Sequence, residues 1–597
     1  PPPRGRRPTR PQVALNRALA QATEPEEVLQ LLANCADEAN AVNLSTACVR
    51  LAKCAARSGA AVSRSDRELF GPHLRRLEAS AVRLLQDADP RGVAGLLWGF
   101  AKLGYFPEKL LSELERALGG EGFEGLEAAQ KRQSFLWRRD GEGGRRPLEA
   151  WEPQGLAMAV YALGLLGIPV RSFPNLLAAL EAESVAQIFE LTPQGVSLTV
   201  WAFCKLEHPG ALRLLVRVEE VFRRTPEDGS GGKKGGKVED NSLAPPPSFE
   251  GWPSQALGSL AFGMGSVAGD LSESQKLALL TAVDAELART LSSLAGREDA
   301  TALANSLWGF GRCGFRPKVF LTAAAAMGEA GLAELFEGLT PSNVSYAALG
   351  LAWLGESWPT SALARALCGR AVRIAQDFAG VESLVPALWS FVALGVHLNP
   401  GDGRYSAEER ALAGWWNSIT KSSPGALARE DLRRLAETKT LLTAEASDAV
   451  YDDMRPERGD LAGAIAVVGV GGDGVESVDG ADPRQASLAA ALARVLETGG
   501  ADKVSILSDH PSGAPTALRA PGDLNVALFV DGPELFALGD GSSVPLGRLG
   551  LRDRLLHAAG YDVASVPWSE WETLPEPDGQ DDFLRDLLRE IRPGLLP

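Results

Sequence analysis

Lys53, Lys102, Lys205 and Arg312 each stand four residues after a position that recurs along the chain, at 49, 98, 201 and 308. A cation at one phase of successive structural units lines a surface with positive charge, which is how a protein tracks a phosphate backbone. Such residues also have a plainer use, covering apolar surface with their stems while the charges reach water. The four remaining places in the series hold Leu165, Met264, Trp353 and Ala393, so the column is interrupted. Six Cys, at 35, 48, 54, 204, 313 and 368, form no C-x-x-C pair and have no His at ligand spacing. That pattern argues against a disulfide framework and a zinc module, and fits a reducing compartment. Gly469 to Gly474 matches G-x-G-x-x-G behind the strand-like Ala464–Val468, but a dinucleotide fingerprint needs a helix directly after it. Val475–Pro483 reads as loop, and no cofactor is expected.

The column belongs to a repeated phrase. Leu97-Trp98-Gly99-Phe100-Ala101-Lys102-Leu103-Gly104 returns at Val160–Gly167, Val200–Leu206, Leu307–Gly314, Leu349–Gly355 and Leu388–Gly395. A weaker copy stands at Leu260–Gly265 and a degenerate first copy at Val49–Cys54. Anchors at 49, 98, 161, 201, 260, 308, 349 and 389 give intervals of 49, 63, 40, 59, 48, 41 and 40 residues. The two longest contain insertions, near 138–150 and 226–250. A period near 40 with apolar residues at helical spacing marks a helical solenoid. Asp89-Pro90, Thr192-Pro193 and Thr340-Pro341 read as helix starts, and Gly104, Gly167, Gly314, Gly355 and Gly395 as helix stops. Between anchors runs a second Ala/Leu-rich helix, for example Ser361–Asp377. The recurring Trp and Phe side chains are expected in the core, where aromatics at a fixed helical phase hold such repeats together.

Composition agrees with a folded, multi-part chain. It has 597 residues, 45% of them hydrophobic and 23% charged, and a formal charge of −16. Residues 461–597 carry 10 Lys plus Arg against 21 Asp plus Glu, so most of the acidity lies beyond the repeats. Bulk charge therefore does not drive nucleic-acid binding, although a local basic row remains available. The longest uncharged apolar stretch, Gly155 to Val170, has 16 residues including three Gly and a Pro, too short for a bilayer, so no membrane span is expected. The first 17 residues hold five Arg and no acid, the composition of a transit-peptide remnant or of a solvated arm. The expected organisation is a basic flexible arm (1–25), a solenoid (26–400), a helical linker (401–460) and a C-terminal α/β domain (461–597).

The phrases L-W-G-F-A-K-L-G and N-S-L-W-G-F-G-R-C-G-F-R-P resemble the octotricopeptide and heptatricopeptide repeats of organellar RNA-binding proteins, over roughly residues 30–400. In the last domain, strand 524–530 runs into Asp531-Gly532-Pro533; a helix at 551–556, Gly560-Tyr561, strand 563–566 and Pro567-Trp568-Ser569-Glu570-Trp571 follow. The motifs F-V-D-G-P-E-L-F (529–536), L-G-R-L-G-L-R-D-R-L-L (546–556), G-Y-D-V (560–563) and V-P-W-S-E-W (566–571) closely resemble the RAP domain.

That resemblance implies RNA binding, with Arg548, Arg552, Arg554 and His557 as contact candidates. It also implies a fold like the small restriction-endonuclease-like nucleases, with Asp531 where a metal-binding carboxylate stands and Glu570 as a second acid. Glu572 falls where such a site carries Lys, so a metal-dependent ribonuclease is the lesser expectation and no metal is assigned. The fold class is thus mostly α, a solenoid of stacked helix pairs followed by a small α/β domain. The expected function is organellar RNA binding, in mitochondrion or plastid, without catalysis. Single-stranded or ribosomal RNA would be the partner, acting in transcript stability, processing, translation or rRNA assembly. The alternative is a structural protein of an organellar ribosome or other ribonucleoprotein, held mainly by other proteins.

Overall fold

A computed structural model of the chain describes residues 8–35, 38–57, 64–118, 148, 151–222, 248–378, 380–398, 406–421, 427–446, 483–498, 505–507, 517–520, 524–538, 544–575 and 577–591. Both insertions and the glycine-rich 469–474 lie outside those residues, apart from Leu148 and 248–250. The chain divides into two compact units, Pro1–Ala282 and Val283–Pro597.

In the first unit the helices are α1 (Arg10–Gln21), α2 (Pro25–Asn34), α3 (Ala41–Arg57), α4 (Arg64–Arg83), α5 (Pro90–Lys102), α6 (Glu108–Leu118), α7 (Pro153–Leu166), α8 (Pro174–Ala186), α9 (Pro193–Lys205), α10 (Gly210–Phe222) and α11 (Ser254–Ser266). The anchor helices α3, α5, α7, α9 and α11 stack in one layer, and α4, α6, α8 and α10 in a second. Helix α12 (Glu273–Thr290) contains the boundary between the units. The second unit repeats the two layers, with α13 (Gly296–Cys313), α15 (Pro341–Trp353), α17 (Val381–Ala393) and α19 (Arg429–Glu445) in one. Helices α14 (Lys318–Leu335), α16 (Ala362–Arg373) and α18 (Ala407–Ile419) form the other.

Helix starts and stops follow local chemistry. Asp89 Oδ1 accepts from the Gly92 amide at 2.6 Å and Thr192 Oγ1 from Gly195 at 3.1 Å. Each cap is followed by a Pro whose fixed φ suits the first turn. Gly104, Gly167, Gly314, Gly355 and Gly395 all take positive φ, from 60° to 84°, the left-handed turn that ends a helix.

Small residues set the helix spacing. The third residue after one anchor meets the first residue after the next: Gly164 against Ala202, Cys204 against Gly263, Gly311 against Gly350. A Cβ on Gly164 would lie 2.7 Å from the Cβ of Ala202, and one on Gly311 2.7 Å from the Gly350 carbonyl oxygen. This pairing moves the weak copy's anchor from Leu260 to Phe262, because Gly263, not Ala261, meets α9. Leu260 and Met264 are both fully buried, so neither belongs to a surface column.

The aromatics expected as core divide in two. Phe100, Phe203, Phe310 and Phe391 have no exposed surface, whereas Trp98, Tyr161, Trp201 and Trp308 are half-buried. Two residues turn a helix by about 200°, so in these copies the Phe faces the second layer and the anchor outward, whereas the anchor Trp389 is buried.

Acidic side chains cap the second-layer helices across repeats. Glu78 accepts from the amides of Lys109 (2.7 Å) and Leu110 (3.3 Å), and Glu115 from those of Asn175 (2.9 Å) and Leu176 (2.8 Å). Asp284 does the same for Val319 and Phe320, and burial raises its pKa. A carboxylate on free amides at a helix N-terminus also meets the positive end of the dipole.

Both ends of the solenoid carry further packed helices. Residues 10–21 of the presumed flexible arm form α1, started by a Thr9–Gln12 capping box and held on α3 with Leu15 and Leu19 buried. The presumed linker contributes α18 and α19, which extend both layers against α16 and α17. Among the described helices, Lys318–Phe336 has the length and apolarity to cross a bilayer. It breaks at Gly328 (φ 76°, ψ 170°), where a lipid-exposed span would lose its internal hydrogen bonding.

Close packing predicts opposite signs for one substitution at two helical glycines. Gly350→Ala drives a methyl into the Leu307 carbonyl and should destabilise by about 1–3 kcal/mol, outweighing the helix-propensity gain. Gly414→Ala, in open space on α18, should stabilise by about 0.5–1 kcal/mol. Urea unfolding midpoints of the two variants should move in opposite directions.

Candidate nucleic-acid interface

The C-terminal residues of the second unit build a three-layer α/β domain. Strands β1 (Ser505–Leu507), β2 (Ala517–Ala520), β3 (Leu524–Asp531) and β4 (Tyr561–Pro567) lie in that order, with β3 and β4 parallel and the other pairs antiparallel. Helices α20 (Pro483–Thr498) and α22 (Asp578–Ile591) cover one face through Leu488, Leu492, Val495, Leu584 and Leu588. Helix α21 (Gly547–Ala558) makes the crossover between the parallel strands and covers the other face, with Leu556 on Ala527, Phe529 and Tyr561. Strand β2 pairs with β3 only as far as Ala527, and the Gln485 side chain substitutes beyond it. Its amide donates to the Leu528 carbonyl and its oxygen accepts from the Val530 amide, both at 3.1 Å. The short β2, with Arg519 inside it, carries no legible strand pattern.

Asp531 stands at the end of β3 as expected, buried beside α21. Its partner is a guanidinium: Arg552 Nη1 donates to Oδ1 at 2.6 Å, while Arg552 also holds Asp553 (2.8 Å) and Ser565 (3.2 Å) and lies 3.9 Å above the Phe529 ring. Arg552 thus supplies the positive charge next to Asp531. Glu570 is exposed on the single helical turn Trp568–Trp571. No cluster of three or more His, Cys, Asp or Glu suited to a metal occurs among the described residues.

Arg554 points from α21 to the repeats. It donates to the carbonyls of Ala393 (2.7 Å) and Val392 (3.3 Å) and makes a two-pronged pair with Glu445 at the end of α19 (2.6 and 3.1 Å). His397 Nε2 lies 2.8 Å from the same carboxylate. Burial disfavours the Glu445 charge, but the hydrogen bonds and positive charge of His397 and Arg554 outweigh it, and its pKa falls to about 2. The glycine stops complete the joint: the Leu538 amide donates to the Gly314 carbonyl at 3.0 Å, and Gly547 lies against Gly355 and the Ala352 carbonyl, where no side chain fits. Neither Glu445 nor His397 stood out in the sequence, since each gains its partner only in the folded chain. His557 is exposed, its Nδ1 2.9 Å from the Tyr561 carbonyl oxygen.

The outer face of the anchor layer carries the remaining candidates. In the first unit Lys53, Lys102 and Lys205 are exposed, one turn beyond half-buried Val49, Trp98 and Trp201. Lys102 Nζ lies 6.0 Å from the Trp98 ring centre and 5.4 Å from that of Tyr161, and Lys205 Nζ lies 4.9 Å from Trp201. Burial lowers the Lys205 pKa. Tyr161 and Trp201 touch, with ring centres 5.3 Å apart, so three aromatic rings and two ammonium groups form one run across α5, α7 and α9. A cation held on a ring face and still open to solvent can take a phosphate with little further ordering. In the second unit Arg312 is exposed and lies 5.7 Å from the Trp353 ring centre.

Against known families, residues 528–587 match the RAP domain, a family of RNA-binding domains. All four motifs that carry the resemblance overlap this span. No curated protein matches the chain.

The Glu445 contact makes the joint acid-sensitive. Its folded pKa of about 2 lies below the ordinary value, so its stabilisation is complete above about pH 5 and is lost as pH falls toward 2. Hydrogen-exchange protection of Gly547–Ala558 should fall over that window. In Glu445→Gln it should start lower and change less with pH. Arg554→Ala should weaken protection by about 1–3 kcal/mol at neutral pH, because it leaves the Glu445 carboxylate and the Ala393 carbonyl short of a donor.

Proposed function

We propose that this chain is an organellar RNA-binding protein, of mitochondrion or plastid, whose main contact with a single strand runs along the anchor face of its first unit. The observation that carries the proposal is the run Trp98, Lys102, Tyr161, Trp201, Lys205, in which cations rest on half-buried rings across three successive helices. The RAP match supports RNA as the ligand class. Lys53 extends the same row on α3. The protein would act without catalysis of its own, in stability, processing or translation of transcripts or in rRNA assembly.

A second reading, a structural component of an organellar ribosome or similar particle, draws on the C-terminal domain. That domain is acidic, and its Arg552 and Arg554 are engaged within the chain, which suits a surface that meets protein.

Fluorescence anisotropy with single-stranded RNA separates the two. The binder holds RNA alone, with log K falling steeply against log salt; replacing Lys53, Lys102 and Lys205 together by Ala should reduce that slope by about 2. An isolated protein without RNA affinity at low salt leaves the particle component standing. Incubating RNA with magnesium or manganese tests the lack of catalysis: metal-dependent cleavage abolished by Asp531→Ala would make the protein a nuclease.

A further inference from the structure

Helix α7, in the middle of the first unit's row, departs from its neighbours. Among α3, α5, α7 and α9 it alone has no cation four residues after its anchor: Leu165 stands where the others hold Lys53, Lys102 and Lys205. It has no charged residue along its whole length, Pro153–Leu166. Met158, Tyr161 and Leu165, three and four residues apart, share one side of the helix, and each is half-buried, so an apolar strip reaches the surface. Positive charge borders that strip on both sides, because α7 packs between α5 and α9. From α5, Lys102 Nζ approaches the Tyr161 ring more closely than it does its own Trp98. From α9, Trp201 touches the same ring and carries Lys205 over its indole. Both ammonium groups are exposed, and neither has a carboxylate partner among the described residues.

We propose that a single RNA strand crossing this face sets one unpaired base on the apolar strip of α7, with the phosphates to either side held at Lys102 and Lys205. A phosphate over α7 would meet Leu165 and give up water with no cation in return, which is unfavourable. A base presents an apolar face instead and gains by covering Met158, Leu165 and the exposed part of Tyr161. Lys102 and Trp201 already lie against the Tyr161 ring, so much of the new contact falls to the two flexible chains. Such contact does not distinguish one base from another, because every base has a similar face. It does require that the base be free of its duplex. Helix α7 therefore selects for an unpaired base and not for a sequence.

The inference rests on the RNA-binding reading, and the experiment separates the two. Affinity of the full chain for a labelled oligouridylate is measured by anisotropy over a salt series. Met158→Ala combined with Leu165→Ala should lower affinity about tenfold, as loss of a base contact does, and leave the salt slope unchanged. Lys102→Ala and Lys205→Ala should each reduce the slope by about 0.7, the value of one phosphate contact on a single strand. Leu165→Lys should keep the wild-type slope, since no phosphate lies in its reach. On the wild-type chain, irradiation with an oligomer containing 5-iodouridine should join a base to Met158 or Tyr161, read by mass spectrometry, and this needs no variant to fold. Adducts confined to peptides outside α7 would overturn the seat on α7. So would a Leu165→Lys chain that binds more tightly with a slope steeper by about 0.7, the sign of a phosphate there. In both cases the Lys102 and Lys205 losses keep the RNA-binding reading. A wild-type chain that binds no RNA at low salt overturns both.

Discussion

The close approach of successive anchor helices is the constraint on which the rest of the structure depends. It requires small side chains where neighbouring anchor helices meet, and Gly164, Ala202, Gly263, Gly311 and Gly350 provide them. Larger residues there would spread the layer. The anchor side chains would then part, Tyr161 and Trp201 would lose contact, and a lysine on one helix would no longer reach a ring on the next as Lys102 reaches Tyr161. The Phe two places on would lose its fit against the second layer. Helix spacing therefore decides at once what is core and what forms a continuous surface.

Helix ends do a second task. A glycine with positive φ stops the anchor helix, and in the second unit the same residues admit the C-terminal domain. Gly314 accepts the Leu538 amide and Gly355 receives Gly547 at backbone distance. Arg554 then reaches the Ala393 and Val392 carbonyls at the end of α17, the second of which also accepts from the Gly395 amide. The domain is fixed to the repeats through helix-end carbonyls, one carboxylate and positions that lack a side chain. One acid, Glu445, is central to that joint, which makes it sensitive to protonation.

Much of this could be read from the chain. Cap residues, glycine stops, the period of the phrase and the order of strands and helices in the last domain are local signals, each carried by a few neighbouring residues. The register of the weak copy was not legible, because Leu260 and Phe262 are both apolar and only contact with α9 distinguishes them. The packing of the first helix and of the last two repeat helices is hidden for a related reason. Charge-rich stretches look solvated until a partner helix shows that one face is buried, as Leu15 and Leu19 are in α1 and Leu435 and Leu442 in α19.

For the basic residues the division is sharper. The sequence by itself determined that Lys53, Lys102, Lys205 and Arg312 share one helical phase, since that follows from spacing within each copy. It also determined that the last domain resembles a RAP domain, since the motifs are contiguous. What each arginine of α21 does was decided by tertiary structure alone: Arg552 neutralises Asp531, Arg554 ties the domain to Glu445, and Arg548 comes to lie over Trp353. The physical reason is that a charge is defined by what stands within a few ångströms of it. For these residues the neighbours are up to about 200 residues away in the chain.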